Sequence, residues 1–276
     1  MIKKILVPTD FSKQAESALK VAAQLAKKNN AQIYLLHIIE LPVHLVDLMA
    51  SPNPAAPEAI FFMKETHKKF EELMASPYLS GIEVFETVSF EDILKGVLET
   101  CEKNDIDFII MGSHGSSGFE ELFIGSNAEK VVRSAKQPVL VIKDDCDIFN
   151  VNDFVYATNF DDEDKPSIQS AADFAKLINA KLHLLWINTA SSFRTSTETK
   201  TKMNATLEGL SLDEPALHIY NDINVEKGIL NFSESKKAGL IGISTHGRKG
   251  LSHFINGSLS EDVVNHAKRP VLTFNI

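Results

Sequence analysis

The feature that most limits what this chain can fold into is that it is written twice. Ile5-Leu-Val-Pro-Thr-Asp10-Phe11 returns as Phe154-Val-Tyr-Ala-Thr-Asn159-Phe160, and Ala31–Leu36 returns as Ala180–Leu185, both at an offset of 149 residues. Further along, His114, Gly115 and Gly118 return as His246, Gly247 and Gly250 at an offset of 132. That register continues from Gly125-Ser126 to Gly257-Ser258 and from Pro138-Val-Leu140 to Pro270-Val-Leu272. The offsets differ by 17, so the first copy carries about 17 additional residues in its middle. The 276 residues therefore read as two similar domains, 1–146 and 150–276, joined by a short connection that should hold them close together.

Each copy alternates strand and helix. In the first, Lys4–Val7 is a short apolar run of the kind a buried parallel strand shows, and Ser12 is placed to cap a helix carrying Ala15, Ala18, Leu19, Ala22, Leu25 and Ala26 at helical spacing. Ile33–Ile39, Ile82–Val88, Ile106–Met111 and Pro138–Lys143 are the remaining expected strands, with helices over about 58–75, 90–103 and 126–135. This predicts an α/β fold in which each domain is a five-stranded parallel sheet with helices on both faces.

Composition narrows the function. A formal charge of −9, split as −7 for residues 1–147 and −2 for the rest, leaves neither half a basic face for nucleic acid. No apolar run approaches the roughly 18 residues of a membrane helix, and the apolar run before Pro8 is too short for a signal peptide. Cys101 and Cys146 form no CxxC pair, and Cys101 is expected to be a structural thiol. The expectation is a cytoplasmic protein acting neither on nucleic acid nor at a membrane.

Open α/β sheets bind ligands beyond the carboxyl ends of strands, where the strand order reverses. If strands 2 and 3 flank strand 1 on one side and strands 4 and 5 lie on the other, that crevice falls between Asp10 and Gly112. The stretch from Gly112 to Ser126 is glycine-rich, and glycines admit anions close to main-chain amides and supply positive φ. Gly125-Ser126 then opens a helix whose amino terminus favours phosphate. No Lys or Arg lies between Gly112 and Ala128, so amides, the Ser126 hydroxyl and Mg²⁺ would have to carry the phosphate charge. Asp10 would repel a triphosphate and should meet the base or ribose instead. The chain has no GxxxxGK[ST] loop and no GxGxxG after its first strand.

Gly112, Gly115, Gly125 and Ser126 form Gly-x₂-Gly-x₉-Gly-Ser, and with the opening Ile5–Asp10 and the ending Pro138–Ile142 they make the chain resemble a tandem universal stress protein, with two UspA-type domains. The resemblance implies a strand order of 3-2-1-4-5 in each domain and ATP, with or without Mg²⁺, in the first. It implies that Asp10 and the backbone near Ile38 hold adenine, and that the Gly and Ser positions hold ribose and phosphates. Pro8, Thr9, Met111, His114 and Asn127 complete that lining. It further implies that the two domains pair through their last strands, with a further homo-oligomer or a protein partner left open.

The second copy departs from the motif. Ser244 replaces Gly112, Asn159 replaces Asp10 and Ala157 replaces Pro8, while His246, Gly247, Gly257 and Ser258 keep their spacing and Arg248 and Lys249 add two cations. It is either a second site of altered preference or a scaffold copy. His114 and His246 are read as loop hydrogen-bonders rather than catalytic bases, and His37, His44 and His67 lack metal-ligand spacing. Trp186 occupies the slot of His37 and belongs to the core or the crevice edge. The stripe Ile60, Phe61, Met63, His67, Phe70, Leu73, Met74 should face the sheet, its other readings being a lid or a partner-binding face. Asp161–Asp164 should form a solvated turn before a helix starting near Pro166. Together these point to an ATP-binding stress-response sensor or regulator rather than a fast catalyst. A nucleotide-independent interaction scaffold and a slow ATP hydrolase are the alternatives.

Overall fold

The computed structural model describes residues 2–39, 57–115, 125–143, 146–245 and 258–275. The first half runs β1 (Lys4–Pro8), α1 (Lys13–Asn29), β2 (Gln32–Ile38), α2 (Pro57–Met74), β3 (Val84–Ser89), α3 (Ile93–Asn104), β4 (Phe108–Gly112), α4 (Ser126–Ser134) and β5 (Val139–Ile142). The second runs β6 (Asp153–Ala157), α5 (Lys165–Ile178), β7 (Lys181–Asn188), α6 (Ser196–Leu207), β8 (Ala216–Asn221), α7 (Val225–Ser235), β9 (Leu240–Thr245), α8 (Ser258–His266) and β10 (Val271–Asn275).

Local chemistry sets these elements. Ile5, Leu6 and Val7 are buried on both faces, as an unbroken apolar run in a central strand requires. The Ser12 hydroxyl accepts the Ala15 amide and starts α1, and Asn30 ends it in the left-handed region at φ 53°. Asn179, at the same place in the second copy, ends α5 likewise at φ 59°.

The strands form one sheet in the order β3-β2-β1-β4-β5-β10-β9-β6-β7-β8. Each half is parallel and keeps the 3-2-1-4-5 order. β5 and β10 pair antiparallel through Val141↔Val271, Leu140↔Leu272 and Val139↔Thr273. Leu140 and Leu272 are equivalent positions in the repeat, so a local two-fold axis passes through that pair and makes the contact self-complementary. Two apolar layers cover the sheet, and both draw on both halves. The Phe108 and Phe174 rings stack across the join at 5.4 Å and 11°.

The halves fill their cores differently. Ile5, Val7 and Ile110 of the first correspond to Phe154, Tyr156 and Gly242 of the second, one small residue answering two large ones. A Cβ on Gly242 would lie 2.6 Å from Phe154 and 2.8 Å from Tyr156, both fully buried. Gly242→Ala should therefore destabilise the protein by about 1–3 kcal/mol through overpacking, read as a lower urea midpoint. An unchanged midpoint would show that the rings can move aside.

The Asp161–Asp164 run is the expected turn ahead of a helix: Asp162–Asp164 is a 3₁₀ turn, α5 starts at Lys165, and Asp161, Asp162 and Glu163 are exposed. Asp164 alone departs from a solvated run, for it is buried and its carboxylate accepts the Asp161 amide at 3.1 Å. The apolar stripe of α2 divides, against expectation. Phe70 is fully buried and Leu73 and Met74 pack on the core, whereas Ile60, Phe61 and Met63 are exposed and His67 pairs with Glu86.

A hydrogen-bonded row crosses β6, β7 and β8. Asp153 Oδ1 accepts from His183 Nε2 at 2.8 Å, and His183 Nδ1 meets His218 Nε2 at 2.9 Å. Burial first, then the charges of His183, Lys236 and Lys181, lower the His218 pKa to about 4. An unfolded histidine protonates near 6.5. Between those values the unfolded chain binds a proton that the folded one excludes, so stability falls as pH drops from about 6.5 to about 4. Urea midpoints across that window should fall less steeply in His218→Gln than in the parent; equal slopes would remove His218 from the effect.

Candidate functional site

The crevice is built from the turn after β1. Pro8 closes the strand, the Thr9 amide donates to the Leu36 carbonyl at 2.8 Å, and the Thr9 carbonyl meets His37 Nδ1 at 2.8 Å. Phe11 then takes φ 63°, an uncommon conformation for a bulky residue. Two side chains hold it there: the Phe11 amide donates to Thr9 Oγ1 and the Ser12 amide to Asp10 Oδ1, each at 3.0 Å. The Phe11 ring packs on His37 at 4.7 Å and on Phe70 at 5.2 Å. Burial lowers the pKa of His37 and keeps it neutral. Asp10 is left half-buried at the mouth, its second oxygen toward the glycine segment.

β4 ends opposite, at Gly112. A Cβ there would lie 3.1 Å from the Gln14 carbonyl carbon and oxygen; on Gly115 it would lie 2.7 Å from Asp10 Oδ2; on Gly125 it would lie 3.3 Å from the Ser113 carbonyl. None of the three has positive φ. This corrects one expectation: their side chains are missing because backbone and carboxylate come too close, not because the turn is left-handed. The Ser113 amide donates to Ile142 and the Gly125 amide to Ser113 at 2.7 Å, which brings the start of α4 onto the end of β4. Gly125 is the N-cap of α4, and Ser126 and Asn127 stand exposed in its first turn.

His114 Nδ1 lies 2.8 Å from Ser113 Oγ, while its Nε2 is buried without a hydrogen-bond partner among the described residues. Burial, then the charge of Lys143, lowers its pKa. Lys143 follows β5, so a neighbouring strand brings a cation near a segment that has none between Gly112 and Ala128. Reading along one loop could not find it. Gln14, pressed against Gly112, and Lys69, whose ammonium lies 5.3 Å from the Phe11 ring centre, were also missed. Lys69 lines a cavity of about 420 Å³ with Thr9, Asp10, Phe11 and Ser12.

The remaining positions are less uniform. Ile38 ends β2, one strand from Asp10. Met111 is 6% exposed and its side chain belongs to the core, leaving only its backbone for the crevice. In the second half Asn159 and Ser244 are half-buried at the ends of β6 and β9, and Phe160 repeats the positive φ at 51°. Ser258 opens α8. His246, Gly247, Arg248, Lys249, Gly250 and Gly257 lie outside the described residues, as do Gly118 and His44. Trp186 is buried, with Lys202 at 5.1 Å and Arg194 at 5.7 Å from its ring, and Asn188 grips both the amide and the carbonyl of Arg194. The Cys101 thiol is buried and its pKa is pushed up to about 12, an inert core group. Among the described residues there is no group of three or more His, Cys, Asp or Glu that could hold a metal, and no helix long and apolar enough to cross a membrane.

Comparison with known proteins agrees with this architecture. The model of the universal stress protein family matches residues 1–143 and again 151–275. The universal stress protein MJ0577 of Methanocaldococcus jannaschii is 33% identical over 158 residues, 52% of this chain and 96% of that one. Slr1230 of Synechocystis is 24% identical across 99% of this chain and the whole of its own. The crystal structure of a universal stress protein from Archaeoglobus fulgidus superposes with a TM-score of 0.68 at 21% identity, covering 99% of this chain and 98% of that one. With both halves matched and the sheet order shared between them, the chain belongs to the universal stress protein family.

Proposed function

We propose that the first half, residues 1–146, binds an adenine nucleotide, ATP, in the crevice between β1 and β4, and that the protein works in the cytoplasm as a nucleotide-dependent sensor or regulator. The observation that carries this reading is the closeness of the Asp10 carboxylate to the main chain of Gly115, where an added Cβ would lie only 2.7 Å from Asp10 Oδ2. This supports a carboxylate acceptor for the base amine standing directly beside bare main chain, from which the glycine segment leads toward the amino terminus of α4 and the phosphates. Pro8, Thr9 and Ile38 border the base end. Gly112, His114, Gly115, Gly125, Ser126 and Asn127 border the phosphate end, with Lys143 and bound Mg²⁺ sharing the charge.

The second half, residues 150–276, serves as scaffold in this reading. Asn159 has no charge to offer the base, Ser244 brings a Cβ, and Lys202 and Arg194 cover Trp186. Mass spectrometry of freshly purified, denatured protein should release adenine nucleotide, and calorimetry should count one ATP per chain. No nucleotide, no heat and no thermal shift would leave the scaffold reading. Steady ADP release lost in His114→Ala would favour the hydrolase.

A further inference from the structure

The two halves grip each other at the ends of their last strands, and the repeat lets the two grips be compared. Lys143 follows β5, and its counterpart Asn275 ends β10. Asn275 Nδ2 donates to the Ala135 carbonyl at 2.9 Å, at the carboxyl end of α4. Lys143 Nζ donates to the Asn265 carbonyl at 3.3 Å, in the last turn of α8. Each half thus caps the final helix of the other. The carboxyl end of a helix leaves carbonyls without intrahelical partners and carries partial negative charge, so a donor suits both places.

The grips differ in charge, and the difference follows the glycine motif. Ile142, just before Lys143, pairs with Gly112 in the sheet and accepts the Ser113 amide at 2.8 Å. Phe274, just before Asn275, pairs instead with Ser244. The cation therefore stands beside the crevice that keeps Asp10 and Gly112, and the neutral amide beside the one that has lost both. An amide is enough to cap a helix, as Asn275 shows, whereas a buried ammonium carries a desolvation cost that capping does not require. Lys143 is 9% exposed, and its charge acts on His114, two residues past Gly112. The turn it caps is also tied to α7, where His266 Nδ1 meets the Glu226 carboxylate at 2.6 Å. At its other end α8 opens on Ser258, part of the second copy's glycine segment.

We propose that Lys143 couples the first crevice to the second half: its ammonium holds a nucleotide phosphate and the Asn265 carbonyl together, so that filling the crevice tightens the last turn of α8. This rests on the reading of the first half as a nucleotide site and adds how occupancy is passed on. An ammonium has three donors, which lets one group serve both acceptors. The second half then takes no nucleotide of its own but registers the one bound next to it. The coupling is reciprocal, so whatever loosens the last turn of α8 weakens ATP by the same factor. Adenosine has no phosphate to offer Lys143 and leaves α8 as it was, because a ligand shifts a state only through contacts that differ between states.

Hydrogen exchange of the full-length protein, read by mass spectrometry on peptides covering residues 258–267, follows α8 directly. Saturating ATP with Mg²⁺ should slow exchange there, and saturating adenosine should not. Lys143→Met should weaken ATP roughly tenfold by calorimetry, the loss of one charge-assisted hydrogen bond, while adenosine affinity stays at the parent value. The same variant, filled with ATP, should show no protection of α8. Exchange in the parent that ignores saturating ATP overturns the proposal and leaves the nucleotide site standing. Equal losses of ATP and adenosine in Lys143→Met overturn it as well, since Lys143 would then serve architecture alone. No heat from ATP at all removes the nucleotide reading and this coupling with it.

Discussion

Phe174→Ala lowers the free energy of unfolding by about 3–5 kcal/mol and moves a single transition rather than one of two. The size follows from burial: the ring is 4% exposed, and truncation removes its transfer energy and leaves a cavity. The single transition follows from position. Phe174 stacks on Phe108 of the first half at 5.4 Å and meets Phe154 of its own half edge-on at 6.3 Å. Its loss therefore opens a core that both halves share, beside the β5–β10 ladder that joins them. Urea unfolding followed by near-UV and far-UV circular dichroism should give coincident curves, displaced together. Two separated transitions, with only the later or only the earlier one displaced, would mean that each half is stable alone and that the join is a contact between finished domains.

With ATP in the crevice as proposed, Asp10→Asn should weaken its binding roughly tenfold to a hundredfold while leaving the fold unchanged. The substitution keeps the oxygen that accepts the Ser12 amide at 3.0 Å, so the turn into α1 survives. What it removes is the charged acceptor offered to the base amine, and hydrogen bonds to charged groups are the stronger ones. Guanine presents a carbonyl where adenine presents the amine, and the substituted amide, its oxygen still held by the Ser12 amide, turns its NH₂ to that position and can donate to it. ATP affinity should therefore fall while GTP affinity holds or rises. Equal losses for the two nucleotides would remove Asp10 from base recognition. The second half makes the same substitution naturally at Asn159.

Much of this architecture was legible along the chain because it rests on short-range chemistry. Ser12 was readable as a cap and Lys4–Val7 as a buried strand because each depends on its immediate neighbours. The Gly112, Gly115 and Gly125 spacing was readable for the same reason, although its cause was not. Their lack of positive φ, and the 2.7 Å between Asp10 and a Cβ on Gly115, exist only once β1 and β4 lie side by side. Asp161, Asp162 and Glu163 are exposed as expected, but no local pattern distinguishes them from Asp164, the one acid that turns inward to cap the Asp161 amide. The α2 stripe looked uniform because periodicity records a face, not how much of that face meets a neighbour.

Duplication, strand–helix alternation, the glycine pattern and the mismatch between Asp10 and Asn159 are properties of the sequence by itself, since repeats and local propensities are written in residue order. Tertiary structure alone decided that Leu140 would face its own counterpart Leu272, that Lys143 would bring its charge near His114, and that the same lysine would reach the Asn265 carbonyl of the other half. Each of these depends on which surfaces meet after the strands have been ordered across the sheet. That meeting is governed by packing between residues distant in the chain, and no local pattern encodes it.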